Sequence, residues 1–327
     1  MARHTLTELI IARAAKAWAD DPEWLATGIT PVPRLAAGLA KTLYNPRLMI
    51  TDGENWFARD PVPLGPRDGF EPVIEGWAPY LRTFDNLWNG RRHAMVAPVQ
   101  IDRYGQTNIS VIGDHDQPKA ALLGARGFPG NSIHHPNSFF FPAHNKRAFV
   151  EGEVDYVCMA GYNPARWPGG RKPFRLELRL ILTNLCVMDF GGPGHAIRLV
   201  SLHPGVSFEE VQDNTGFPIH RDGGGTPETP APTDEELAVI ARLDPHDVRA
   251  TIIKGIRPAG PNGGEAFIGN HHAELVSAST GRHSPDRAVP ATTMSHNACP
   301  ARPTWWMLKQ VQHDGLTRSS PRGRRRG

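Results

Sequence analysis

No run in this sequence approaches the roughly twenty consecutive apolar residues that a membrane-spanning helix needs. Cysteine is scarce: Cys158, Cys186 and Cys299 stand far apart with no C-x-x-C among them. That pattern argues against a disulfide framework and against a zinc site. A cleavable leader is not expected either. The N-terminal stretch MARHTLTELIIARAAKAW has a basic residue and an apolar run, but Glu8 interrupts the run and no small-residue cleavage site follows, so it reads as a helix. These absences imply a cytoplasmic protein without a membrane anchor.

A basic globular surface is missing as well, although the net charge of +3 suggests one. From Arg257 onward there are ten Arg/Lys against four Asp/Glu, whereas the first 256 residues hold 26 basic and 29 acidic side chains. The globular part is mildly acidic, and nothing in it suggests a nucleic-acid surface.

What is present is a soluble-type composition, 39% hydrophobic and 21% charged, with helical and strand-like patterns in alternation. Thr5-Leu-Thr-Glu8 is a capping box opening a first helix, and Arg34 to Leu43 reads as a second, after Gly28 and two prolines. Arg47 to Thr51 is a short apolar strand that delivers Asp52-Gly53-Glu54 to its C-terminal end, the end at which open parallel sheets bind ligands. Residues 58–72 are loop by composition. Pro79 to Trp88 is helical, and His93 to Pro98, Lys146 to Glu151 and Leu176 to Thr183 are strand-like. The expected fold is α/β, an open and mostly parallel sheet sandwiched by helices. Its bounds are residues 1–253. Gly223 to Pro232 is a linker before a last helix from Asp234, and residues 254–327 lack a core-forming pattern, so a disordered extension is expected.

The most informative stretch runs from Leu182 to Ile219. An apolar run ending in Asp189-Phe190, a Gly191-Gly-Pro-Gly194 turn and a second run from Ala196 to Leu202 make a hairpin. Its glycines are no phosphate loop, since no helix start follows directly and no Lys-Ser/Thr pair closes them. Ser207 then caps a helix with Glu209 and Glu210 in its first turn, ending near Thr215-Gly216. This order of motifs resembles the C-terminal signature of class I coenzyme A transferase beta subunits. NPRLMITDGE, QIDRYGQTNIS, and GARGFPGNSI followed by RAFVEGEVDYVCMAGY extend the resemblance over roughly residues 30–250, the glycine cluster from Leu122 to Ile133 corresponding to the family's glycine-rich turn.

The resemblance implies the CoA-transferase beta-subunit fold, an active site shared with an alpha subunit in a heterodimer or heterotetramer, and an acyl-CoA substrate. It implies no bound cofactor, coenzyme A arriving as part of the substrate. In the transferases a beta-subunit glutamate attacks the thioester, which needs a carboxylate nucleophile and backbone N–H groups for the oxyanion. Here Gly53 falls at the nucleophile's place and Glu54 one residue later. T-D-G-E, E-G-W, W-N-G-R-R-H and D-R-Y-G look instead like one branch of the family, the beta subunits of a hydrolase that opens the last rings in bacterial steroid degradation. That branch is understood to lack the usual nucleophile and to rely on a glutamate of the alpha subunit. A true transferase with Glu54 as nucleophile and a non-catalytic structural subunit remain as alternatives.

The candidate site residues are Glu54 for catalysis, and Arg91, Arg92, Gln100, Asp102, Asn108, Gly127, Gly130 and Asn131 for substrate or CoA. Each has a structural counterpart. Glu54 can be a solvated loop-end carboxylate, Arg91 and Arg92 a helix C-terminal pair, and Asp102 and Arg103 partners within a turn. His134-His135 is no metal pair, because adjacent side chains point apart and no third ligand sits nearby; no metal is expected. Asp189 and His203 are explained by the hairpin. In the tail, GNHHAELVSAS and WWMLKQVQHDG resemble the translated product of a dispersed repeat element, the alternative being an arginine-rich electrostatic arm.

Overall fold

The structure, a computed structural model, describes residues 4–53, 56–125 and 127–253. Glu54 and the expected extension from residue 254 lie outside the described residues.

In chain order, the strands are β1 (Leu25–Gly28), β2 (Ile50–Thr51), β3 (Trp56–Ala58), β4 (Ile74–Trp77), β5 (Arg92–Val96), β6 (Gln100–Ile101), β7 (Thr107–Asn108), β8 (Val111–Ile112), β9 (Ala120–Ala121), β10 (Asn137–Phe141), β11 (Leu178–Thr183), β12 (Cys186–Asp189) and β13 (Arg198–Leu202). The helices are α1 (Leu6–Ala15), α2 (Pro31–Leu43), α3 (Tyr80–Trp88), α4 (Phe128–His134), α5 (Phe208–Asp213) and α6 (Asp234–Leu243). No described helix is long and apolar enough to cross a membrane.

The described residues form a six-stranded sheet in the order β1-β5-β10-β11-β12-β13. The first four strands run parallel, and β12 and β13 continue antiparallel as the expected hairpin. The α/β reading therefore holds. Along β10, Phe139 and Phe141 enter one face and Phe140 the other, and all three are buried. A strand covered on both faces needs this continuous apolar run, each ring contributing roughly 1.5–3 kcal/mol by burial.

One face is covered by α1, α2 and α6, which bring Ile10, Leu35, Leu39 and Ile240 onto Met95, Phe140, Leu182 and Val187. Capping boxes start α1 (Thr5 with Glu8) and α6 (Thr233 with Glu236). Gly38 of α2 admits α6 closely, since a Cβ there would stand 2.9 Å from Leu243 Cδ1. The opposite face is packed with Phe149, Met159, Phe190 and Phe217, largely from short hairpins and loops.

Three expectations change. Lys146–Glu151 is no strand but a turn held by Asn145, whose side chain accepts the N–H groups of Arg147 and Ala148; a single bridge from Phe149 to Ile101 remains. Such local bonding competes with strand pairing. The segment before Asp52 is a two-residue strand, antiparallel to β3 and tied to β1 only by a parallel Leu25–Met49 bridge. It still ends beside the C-terminal end of β1. The glycine cluster at residues 122–133, read as a turn, contains α4.

Candidate functional site

β1 and β2 end at a small cleft of about 70 Å³ beside α2. Backbone from Ala26 to Gly28 forms one wall, Thr51 and Gly53 another, and Arg34, Pro61 and Val62 close it. Gly28 is required by proximity, because a Cβ there would lie 2.2 Å from the Pro33 carbonyl oxygen. Thr30, between Gly28 and the first proline of α2, has φ of 85°, a left-handed conformation costly for a threonine. Gly53 has φ of +93°, and a Cβ on it would stand 2.6 Å from Nη1 of Arg34.

Arg34 is half-buried and donates from Nη2 to the Asp52 carbonyl at 3.0 Å. Burial and the neighbouring Arg67 lower its pKa, against the raising effect of Asp52, and an arginine so placed remains a cation. Asp52 itself accepts from the Trp56 N–H at Oδ1 and from Arg67 Nη2 at Oδ2, 3.1 Å away. Arg34 and Arg67 escaped the sequence reading: a single arginine in an amphipathic helix, as at residue 34, or in a loop, as at residue 67, is indistinguishable from a solvated charge.

The candidate residues fall into two groups. Gln100, Asp102 and Asn108 come together on the β6–β7 hairpin and are all buried. Gln100 Oε1 accepts from Asn108 Nδ2 at 2.7 Å, and Gln100 Nε2 donates to Asp155. Asn108 also donates to the Val111 carbonyl. Asp102 does not pair with Arg103, whose guanidinium meets the Tyr104 hydroxyl instead. Asp102 accepts from the Tyr104 and Gln106 N–H groups and from Gln106 Nε2 at 2.6 Å. Burial pushes its carboxyl up to about 6, against these hydrogen bonds.

The second group surrounds α4. Arg92 does not interact with a helix dipole. It begins β5, is only 5% exposed, and donates to Thr27 Oγ1 at 3.0 Å and, more weakly, to Asn131 Oδ1 at 3.4 Å. Burial lowers its pKa to about 10. Asn131 in turn accepts from Asn137 Nδ2 at its backbone carbonyl. Gly127 caps α4 with φ of 77°, and Gly130 lets α4 sit on α3, a Cβ there being 2.7 Å from Leu87 Cδ2. Arg91 is exposed, and its backbone N–H donates to Asn89 Oδ1.

A Ser-His-Asp constellation lies in the core. Arg179 and His93 hold Asp21 ionised against its burial, so His93 Nδ1 donates to Asp21 Oδ2 at 2.7 Å, and His93 Nε2 accepts from Ser138 at 3.0 Å. All three residues are buried and none lines the cleft, so the network ties β5 and β10 to the α1–β1 connection. Asp189 pairs with Arg198 across the β12–β13 hairpin, and His203 bonds Thr229 and the Thr183 carbonyl, both structural as expected. His134 and His135 bond the Gly130 and Pro136 carbonyls. Among the described residues no cluster of His, Cys, Asp and Glu could hold a metal.

Beyond the cleft, Trp56 and Trp77 face each other across β3 and β4, and both are exposed. Val73, Ile74, Leu81 and Trp88 are exposed nearby in sequence, Leu81 to 67%.

Over 253 residues the chain is 39% identical to the cholesterol ring-cleaving hydrolase IpdB subunit of Mycobacterium tuberculosis, covering 75% of this chain and 97% of that protein. The chain belongs to the family of IpdB and the CoA-transferase beta subunits. Within it, the crystal structure of Rhodococcus jostii IpdAB superposes with a TM-score of 0.71 at 35% identity, over 77% of this chain and all of that one. The beta subunit of the 3-oxoadipate CoA-transferase of Pseudomonas knackmussii is 30% identical over 65% of this chain and 84% of its own length. No family model matches the chain.

Proposed function

We propose that this chain is the beta subunit of a heteromeric hydrolase with the CoA-transferase fold. The complex opens a cyclic diketone ring of a steroid-derived CoA thioester by water attack and carbon–carbon cleavage. One observation carries this reading over that of a transferase: the residue at the nucleophile's place is Gly53, at positive φ, with the Arg34 guanidinium over it. A transferase needs a carboxylate at that point to take the acyl group.

The cleft holds a few atoms of a substrate, far fewer than an acyl-CoA, so the larger part of the site belongs to an alpha subunit. The exposed tryptophan pair on β3 and β4 begins just beyond the Asp52–Gly53 segment and supports a partner at that end. Coenzyme A enters as part of the substrate, no resident cofactor is required, and the enzyme works in the cytoplasm. The 30% identity to the beta subunit of a CoA-transferase favours a second reading, a transferase using Glu54.

The test is reconstitution. The chain purified alone should not turn over a ring-diketone CoA thioester, and the chain purified with its alpha subunit should. Full activity from the chain by itself refutes the shared site.

A further inference from the structure

We propose that Arg34 is the seat of a carbon–oxygen anion of the substrate, a carboxylate or a carbonyl oxygen that becomes an oxyanion. This rests on the hydrolase reading for the identity of the substrate, and on the cleft alone for the chemistry of the seat.

Among the described residues lining the cleft, Arg34 is the one charged side chain; the others are Ala, Gly, Ile, Pro, Thr and Val. Its hydrogen bond to the Asp52 carbonyl uses Nη2. The two Asp52 carboxylate oxygens already receive Trp56 N–H and Arg67. Nη1 and Nε of Arg34 have no acceptor among the described residues, and Nη1 lies over Gly53, where the missing side chain leaves room. A half-buried guanidinium attracts an anion more strongly than one in water. Nη1 or Nε together with the second N–H of Nη2 makes a fork that matches two oxygens of one planar group, a match that an ammonium cannot reproduce. The volume fits the carbonyl end of a ring or a carboxylate and excludes a nucleotide.

Two sources can supply the anion: a carboxylate fixed on the substrate, or the oxyanion formed as water adds to a ring carbonyl. They separate kinetically. Loss of a ground-state carboxylate contact raises KM, and loss of an oxyanion contact lowers kcat.

The experiment uses the complex of this chain with its alpha subunit, carrying Arg34→Lys, Arg34→Gln or Arg34→Ala. Arg34→Gln should lower kcat/KM about 100-fold, with assembly and thermal midpoint unchanged. Arg34→Lys should recover little of this, and added guanidinium should restore part of the Arg34→Ala activity in a saturable way. If the wild-type complex proves inactive on ring diketones, the hydrolase reading fails separately. Calorimetric titration with acetoacetate then still tests the seat, with binding expected in wild type and absent in Arg34→Gln. Lys and Gln variants within twofold of wild type, activity loss without guanidinium rescue, or equal acetoacetate binding would each overturn the proposal.

Discussion

The guanidinium of Arg34 lies over the α-carbon of Gly53, with Nη1 only 2.6 Å from the place a Cβ would take. Where the resemblance to the transferases puts the nucleophile, this chain therefore carries a glycine with a cation over it. Gly53→Ala must accept both the φ of +93° and that contact. It should destabilise the chain by about 1–2 kcal/mol and lower turnover by the complex through displacement of Arg34. Chemical denaturation and steady-state kinetics on the same preparation check both.

Asp102 makes stability depend on pH. Burial raises its carboxyl to about 6, so the folded chain binds this proton more tightly than the unfolded chain. Its contribution is fully present below about pH 4 and is lost as pH rises through about 6, amounting to about 3 kcal/mol. Glu153 and Arg166, paired beside it through Gln106, hold the ionised form of Glu153 and do not cancel this slope. Asp102→Asn should remove this component alone, shifting the difference between the unfolding free energies at pH 4 and pH 7 by about 3 kcal/mol, while the buried neutral His135, His144 and His203 keep their opposite dependence, a gain in stability as pH rises. An unchanged slope would show that Asp102 titrates normally.

Ser138 should not be a nucleophile. In the buried Asp21–His93–Ser138 network, Ser138→Ala removes one donor to His93 Nε2. A stability loss of about 1–3 kcal/mol is expected, with kcat of the complex unchanged and no labelling of the wild-type serine by a fluorophosphonate.

Trp77 is 65% exposed opposite Trp56. If the alpha subunit covers this pair, Trp77→Ser should leave the isolated chain as stable as wild type and weaken assembly by about 2 kcal/mol or more. Analytical ultracentrifugation of the mixed subunits measures it, and undiminished assembly would remove the pair from the interface.

Legibility followed locality. The Thr5–Glu8 box, the Ser207 cap and the β12–β13 hairpin are written in adjacent residues and were readable as such. β10 was not: Asn137–Phe141 opens on two polar residues, which leaves only three apolar ones to mark it as a strand. The two-residue strands had too few residues for any period. Gln100, Asp102 and Asn108 stood out by motif, yet Gln100 bonds Asn108 and Asp102 bonds Gln106 within one hairpin. The cleft joins Gly28, Arg34 and Gly53, a juxtaposition set by the packing of α2 on β1 and β2, and nothing at residue 34 announces it.

The central claim is decided by the fate of the substrate. The complex of this chain with its alpha subunit is given a ring-diketone CoA thioester in ¹⁸O-labelled water, with borohydride added during turnover in a parallel sample. Hydrolysis predicts a ring-opened product that keeps its CoA, gains one water and carries one ¹⁸O in a new carboxylate, with no substrate-dependent inactivation by borohydride. Transfer of CoA to an acceptor acid, with borohydride inactivation through a trapped glutamyl thioester on this chain, would contradict it.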